Sequence, residues 1–399
     1  MTDLLAGLRR DLGGIVAFSD HEHHKPASFF ENFSLDKLIE SGYSAWCGYD
    51  LSDRENFLGG MAHNSYWHWL GRGISAVHGT SEVTAETWDA VSDVIAAHYA
   101  ADAELHHAAL WAHGFGKQIE DTFWDVGGHM GHLPNFSAAY RIDSYLFGIG
   151  PDATEPDTDE APVWQKQGFA GGSLEDYIAH LRGVLSAAVG GGVFCALKCA
   201  VAYHRGLDFC PACFSDAAAD FGQPLAVLSG DAKKNFGNVM MHVCADFAAE
   251  LGIPFQIHTG LGQLAGTNPM ALQPLIAAHP GTRFVCLHGG FPWVQEMAGV
   301  AHNHPNACCN LTWLPLISTA AATDALDLFL DAACDARAIT WGSDCQAPEE
   351  SVGALMAWRE VLAQVLARRI GRGQLTLPRA LALGEELLWN NGGFVYPLA

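Results

Sequence analysis

Between longer amphipathic stretches, one pattern recurs along the chain. A short apolar or β-prone run ends on an ionisable or metal-competent side chain, and a turn usually follows. Ile15-Val16-Ala17-Phe18 leads to His21-Glu22-His23, and Val193–Leu197 ends on Lys198. Leu251–Ile257 runs into His258-Thr259-Gly260, and Thr282–Leu287 into His288-Gly289-Gly290. Arg337–Trp341 runs into Gly342-Ser343-Asp344. Short continuous apolar runs bounded by turn residues suit strands buried on both faces, as in a parallel sheet. Eight such strands are predicted, at about 14–20, 43–49, 138–147, 192–198, 253–258, 283–288, 306–312 and 338–343. Helical stretches alternate with the later ones: Val239 to Leu251, Pro269 to His279, Val294 to His302 and Thr323 to Ala333. Glu350 to Arg369 and Pro378 to Asn390 read as terminal helices on the outside. The alternation predicts an α/β fold of βα units around a parallel sheet. Ionisable groups at C-terminal strand ends are the mark of a (β/α)8 barrel, a TIM barrel.

Residues 51–137 break the alternation. They are predicted to be helical and carry many aromatic and histidine residues, among them Tyr66, Trp67, His68, Trp69, His106, His107 and Trp111. The expectation is one barrel domain over 1–399, with 51–137 inserted after the second strand as a helical lid over the barrel mouth. An aromatic stripe at helical spacing is most simply core packing. Gly148 to Glu160, with Pro151, Pro156 and five acidic residues, reads as an exposed loop.

Composition narrows the function. Of 399 residues, 49% are hydrophobic and 16% charged, enough for a full core. A barrel needs about 250 residues, leaving the rest for insertions and termini. The formal net charge of −23 disfavours nucleic-acid and membrane-surface partners. A small-molecule substrate is expected, and an anionic one remains compatible because a metal inverts the local field. The N-terminus lacks signal-peptide features. Val184 to Tyr203, the most apolar region, is interrupted by glycines and Lys198 and reads as a helix end, a loop and a buried strand. Most of the eleven cysteines sit in apolar runs, which suits reduced thiols and a cytoplasmic location. Cys210-Pro-Ala-Cys213 is the only CxxC, and no second pair at zinc-ribbon spacing accompanies it. It reads as loop thiols, with a metal or redox role as the alternative.

On a strand, His21 and His23 at i and i+2 share a face, which leaves Glu22 and His24 on the other. Gathered at one end of successive strands, His21, His23, Lys198, His258, His288 and Asp344 form a candidate metal site. Neutral imidazoles with one carboxylate suit Zn²⁺, with Mn²⁺ or Fe²⁺ as alternatives, and leave room for water. A divalent ion brings the pKa of bound water toward neutrality, and Asp344 can ligate the ion, accept that proton, or both. Lys198 beside a cation has two readings: a CO₂-derived carbamate bridging two metals, or an ammonium that binds a substrate carboxylate. His288, beside two glycines, is a ligand or a substrate contact.

The order HxH, Lys, His, His, Asp resembles the amidohydrolase superfamily of metal-dependent (β/α)8 hydrolases. Gln256-Ile-His-Thr-Gly260, Phe284-Val-Cys-Leu-His-Gly-Gly-Phe-Pro292, Asn310-Leu-Thr-Trp313 and Gly342-Ser-Asp344 resemble its amidohydrolase-2 group. So does Lys198-Cys-Ala-Val-Ala-Tyr-His-Arg-Gly-Leu207, the likeness being to the amidohydrolase-like domain of nodulin-related proteins and of glutamine-synthetase fusions. A chain of this length leaves no room for a synthetase, so a stand-alone barrel is expected. The resemblance covers about residues 12 to 395. It implies one or two divalent ions, usually zinc, with His21, His23, His258 and Asp344 as ligands and Asp344 as general base. It places Lys198 and His288 where they complete a two-metal site. By analogy, Arg141, Tyr203 and Arg205 are candidates for holding a substrate carboxylate.

Family membership leaves the reaction open. The group includes hydrolases, decarboxylases and a branch of uronate isomerases. His288 argues against the isomerases, which do not usually present a histidine on the sixth strand, and Lys198 argues against the decarboxylases. Hydrolysis of a C–N, amide-like bond in a small carboxylate-bearing compound is the expected activity. Its alternatives are a metal-dependent decarboxylase (a lyase) and a non-catalytic metal-binding scaffold, although a scaffold has no need of Asp344. Oligomers are common in this fold, and the aromatic-rich insertion offers contact surface, so a homo-oligomer is expected.

Overall fold

In the computed structural model, residues 2–129, 135–156 and 161–397 are described. Eight strands form one parallel sheet in sequential order. They are β1 (Ala17–Glu22), β2 (Phe115–Glu120), β3 (Phe136–Arg141), β4 (Phe194–Cys199), β5 (Phe255–Ile257), β6 (Phe284–Cys286), β7 (Ala307–Asn310) and β8 (Ile339–Thr340). Beyond β8 the sheet closes on β1 through backbone bonds. Asp20 N–H donates to Trp341 C=O, Asp344 N–H to His21 C=O and His23 N–H to Cys345 C=O, each at 3.0 Å. The result is the (β/α)8 barrel, with helices such as Leu174–Gly190, Gly230–Leu251, Val294–Asn303, Thr319–Ala332 and Pro348–Gly371 around it.

The second strand differs from the expectation. Tyr43–Cys47, at the heart of the predicted 43–49 strand, is a 3-10 turn. The second strand is Phe115–Glu120, which pairs with both β1 and β3. Its sequence, Phe-Gly-Lys-Gln-Ile-Glu, has only two apolar residues and lacks the signal of a buried strand, because the barrel buries the polar Gln118 and Glu120. The segment 51–137 is therefore not one helical insertion after the second strand. Helices from Leu35–Ser41 to Leu105–Ala112 join β1 to β2, and residues 130–134 lie outside the described ones. Ser65–His78 lies along the flank against Pro348–Gly371. Gly73 and Gly353 let the two backbones touch, since a Cβ on either would overlap the other helix. Tyr43–Cys47 is the part that reaches the barrel mouth: Tyr43 O–H donates to the Asp344 carbonyl at 2.9 Å, and its ring lies 4.1 Å from that of Trp313.

The expected 148–160 loop is described as far as 156, and no helix forms there. Among the described residues, no helix is long and apolar enough to cross a membrane.

Candidate metal centre

The strand ends converge. His23 Nε2 lies 3.1 Å and His21 Nε2 3.4 Å from Asp344 Oδ1, and one donor atom from each of the three residues lies within 4.8 Å of the others. Lys198 Nζ is 3.1 Å from His21 Nε2. His288 Nδ1 is 3.9 Å from Asp344 Oδ2, and its Nε2 is 3.0 Å from His258 Nδ1. All six residues are buried. Glu22 and His24 turn to the other face. There Glu22 accepts from Ser19 and Ser343, and His24 Nδ1 lies 3.1 Å from Glu120.

The backbone at this rim is strained. Five described non-glycine residues have positive φ, and three of them, His288 (64°), Trp313 (62°) and Asp344 (63°), follow β6, β7 and β8. Each costs on the order of 1–3 kcal/mol, a cost typical of positions that the surrounding structure holds for function. Gly342 permits the closest approach. A Cβ there would lie 2.7 Å from both His21 N and Thr312 Oγ1.

Neighbouring bonds assign the ring hydrogens. His23 Nδ1 sits 2.7 Å from the Asp121 carbonyl, which can only accept, so Nδ1 carries the hydrogen. Gln256 donates through Nε2 to the Asp20 carbonyl at 2.7 Å, which orients its amide so that Oε1 accepts from His21 Nδ1 at 2.9 Å. In their neutral forms, both rings turn an Nε2 lone pair toward the Asp344 carboxylate. His288 Nδ1 faces the Thr312 carbonyl at 3.2 Å, so its Nε2 accepts from His258 Nδ1. That leaves His258 Nε2 buried without a partner. Acceptors facing acceptors in a buried pocket, with an orphaned lone pair beside them, suit a cation. His21, His23 and Asp344 would hold a divalent ion, with His258, His288 and Lys198 bordering it. The rings of His21, His23 and His288 each have Nδ1 fixed by Gln256, Asp121 or Thr312, the kind of support that metal-binding imidazoles require.

The electrostatics agree. Burial and the charge of Lys198 push His21 down to about 3. Burial pushes His288 down to about 4 and His258 well below the ordinary imidazole value. These shifts favour the neutral rings. Although burial opposes it, the adjacent His21 and His23 hold Asp344 well below the usual carboxylate range. Burial pushes Lys198 down to about 8.

The other sequence candidates are placed differently. Tyr203 is 42% exposed, and its ring stands 4.7 Å from that of His258, so it reaches the site from the solvent side. Arg141 ends β3 next to the centre, but Asp121 occupies it: Nη2 donates at 2.6 Å and Nε at 3.2 Å, and Nη1 reaches Asp143 at 3.4 Å. Arg205 is not brought to the cluster. It donates to Asn238 at 2.7 Å and to the Gly206 and Asp208 carbonyls, and it lies over the Phe209 ring. Sequence reasoning missed Asp121, Gln256, Tyr43 and Phe123, whose ring lies edge-on 5.2 Å from His23. Gln256 was within reach, being two residues before His258 on the same inward face. A second grouping, Glu104, His106 and His107, lies in the β1–β2 connection, where His106 stacks on Phe30 at 4.9 Å.

Residues 225–373 match the amidohydrolase family model. The protein fluG of Emericella nidulans is 31% identical over 151 residues, a stretch covering 36% of this chain and 17% of that protein's length. Among solved structures, the uronate isomerase of Thermotoga maritima superposes with a TM-score of 0.77 at 12% identity, over 99% of this chain and 97% of that one. The glucuronate isomerase of Caulobacter crescentus also gives 0.77, at 16% identity over 99% and 94%. A Lactobacillus casei protein provisionally described as a metal-dependent hydrolase gives 0.67, at 15% identity over 97% and 96%. At these identities the superpositions speak for the fold alone. The family match covers the second half of the barrel, from β5 to β8 and the helix that follows.

Proposed function

We propose that this protein is a metal-dependent hydrolase that cleaves a C–N, amide-like bond in a small carboxylate-bearing substrate. The observation that carries this reading is that His21 and His23, each with its Nδ1 held by an acceptor, turn Nε2 toward the Asp344 carboxylate in a buried pocket. A divalent ion, zinc by the chemistry of the donors, supplies Lewis acidity there and brings the pKa of water toward neutrality. Asp344 is the general base: it is buried, ionised, and held in place by its own N–H to His21 C=O and by Tyr43 on its carbonyl. Tyr203, at the open side of the pocket, is positioned to donate to a substrate oxygen. Arg141 keeps Asp121 ionised, and through the Asp121 carbonyl the same loop fixes the His23 ring.

Lys198 donates to the His21 lone pair that a metal needs, so the amine must turn away or be converted. With its pKa pushed down to about 8, part of it is free amine near neutrality, the form that takes up CO₂. A carbamate at Lys198, which would add an anionic ligand to the donor set, is the reading we favour.

Asp344→Asn tests the proposal. The expected result is metal retained and turnover of amide-bearing carboxylates lost. Protein that purifies without divalent metal and whose turnover ignores chelators would refute it. A second reading, proton transfer within a sugar acid, draws on the isomerases whose backbones follow this one over 99% of its length. Solvent deuterium on product carbon, without uptake of water oxygen, would select that reading.

A further inference from the structure

The motif Cys210-Pro211-Ala212-Cys213 lies between β4 and the helix Phe214–Asp220, and both thiols are free. Cys210 is the first member of a hydrogen-bonded line of four side chains. Its Sγ is 3.4 Å from His242 Nε2. His242 Nδ1 is 2.7 Å from His279 Nε2, and His279 Nδ1 is 2.9 Å from Asp246 Oδ1. The far end sets the direction. A carboxylate accepts, so His279 Nδ1 carries a hydrogen. With both rings neutral, His279 Nε2 then accepts from His242 Nδ1–H, and His242 Nε2 turns its lone pair to the thiol.

The helix Gly230–Leu251 preorganises this line. It carries His242 and Asp246, and it also clamps the CxxC loop. Asn235 Oδ1 accepts from Cys213 N–H, Asn235 Nδ2 donates to the Cys213 carbonyl, and Asn238 Nδ2 donates to that of Pro211, each at 2.8 Å. None of these contacts involves a residue of the metal centre.

We propose that Cys210 is a nucleophilic, peroxide-reactive thiol activated by the His242–His279–Asp246 relay, with Cys213 as its resolving partner. The thiol proton passes to His242 Nε2 as the His242 Nδ1 proton passes to His279 Nε2. This leaves a thiolate at one end and an imidazolium against Asp246 at the other. The thiolate attacks one peroxide oxygen. An S–O bond forms, the O–O bond breaks, and the departing hydroxide takes the proton back from the relay as water. The Cys213 sulfur then attacks the Cys210 sulfenic acid. An S–S bond forms, and the S–O oxygen leaves as water with the Cys213 proton. Two thiols supply the two electrons that reduce one peroxide.

Burial pushes the Cys210 thiol up and the His242 ring down, so solvation alone does not activate this pair. His279 adds to the lowering of His242, whereas the Phe209 carbonyl and Asp246 favour its protonated form. The other charged groups nearby, Asp208, Lys234 and Arg205, are engaged with one another.

Differential alkylation of the full-length protein at pH 7, read peptide by peptide, tests the proposal, with exposed Cys47 as the internal reference. A thiol whose proton a neighbouring base takes up reacts about tenfold faster than an ordinary one near neutrality. Half-buried Cys210 should therefore outpace Cys47 by about that factor. The advantage should be lost in His242→Gln and His279→Gln, and reduced severalfold in Asp246→Asn. Asp246 is 64% exposed, so that variant leaves the fold intact. One equivalent of hydrogen peroxide should give a Cys210–Cys213 disulfide, and Cys213→Ser should instead accumulate a dimedone-reactive sulfenate on Cys210. A Cys210 that reacts no faster than Cys47, or whose rate is unchanged in folded His242→Gln and Asp246→Asn, overturns the proposal. So does peroxide that oxidises Cys47 as readily as Cys210.

Discussion

Gln256 is the residue on which the metal-binding form of His21 depends. Its side chain makes three bonds inside the barrel: it accepts from His21 Nδ1–H at 2.9 Å, and donates to the Asp20 carbonyl at 2.7 Å and to the Tyr396 hydroxyl at 2.9 Å. Gln256, His21, Asp20 and Tyr396 are all fully buried. Gln256→Leu keeps the volume and takes away the partners of the His21 N–H and the Asp20 carbonyl, while Tyr396 keeps its bond to the Asp20 side chain. At about 1–3 kcal/mol for each unpaired group, less what the apolar side chain returns, the fold should lose about 2–4 kcal/mol. The effect on the metal is separate. With Nδ1 unheld, the His21 hydrogen redistributes between the two nitrogens and the ring is free to rotate. Loss of such a partner typically weakens metal binding about 10–100-fold, or about 1.4–2.7 kcal/mol. Gln256→Glu retains the acceptor for His21 but sets a carboxylate oxygen against the Asp20 carbonyl. It should therefore lose stability while keeping more of the metal affinity than the Leu variant. Competition for zinc with a chromophoric chelator reads the affinity, and thermal melts of the metal-free protein read the stability. If Gln256→Leu binds zinc within about twofold of the parent while its melting temperature falls, Gln256 does not set the His21 tautomer and the lone-pair argument for this site fails.

Gly342→Ala would place a methyl group 2.7 Å from His21 N and 2.8 Å from His21 O. Relief requires moving β1 at its His21-bearing end, so stability should drop by about 1–3 kcal/mol in denaturant melts, and metal content should fall with it. Asp20 tests the barrel interior. Burial pushes it up to about 7, so in the folded state it holds a proton that the unfolded chain releases near its ordinary value of 3.8. The stability it contributes is fully present below 3.8 and is lost as pH rises toward 7. Asp20→Asn removes that dependence. The stability difference between variant and parent should therefore shift in the variant's favour by about 1.4 kcal/mol per pH unit between pH 4 and 7, and a pH-independent difference would refute the assignment.

The likeness to uronate isomerases extends over nearly the whole chain, yet function in this fold lives in the rim loops rather than in the barrel. The rim here is specific: three non-glycine residues in left-handed backbone, and Tyr43 and Trp46 packed on Trp313 beside Asp344.

The candidate ligands were legible one by one, because a buried parallel strand that ends on a histidine, lysine or aspartate and then turns leaves a local trace. β2 left none. Its barrel-facing Gln118 and Glu120 are polar, so its hydrophobic period is lost, whereas the aromatic-rich 43–49 run imitates a strand and is instead a turn pinned to Asp344 and Trp313. Arg141 and Arg205 looked equivalent in the chain, but the fold places Arg141 on Asp121 beside the centre and Arg205 on Asn238 apart from it. The sequence by itself determined the barrel and the identity of the groups at its C-terminal rim, since both are set by local periodicity and local chemistry. Only the tertiary structure decided which nitrogen of each histidine is free, which charges are already paired, and that Cys210, His242, His279 and Asp246 stand in line. Those depend on partners brought from distant parts of the chain, and the local pattern at a residue carries no information about them.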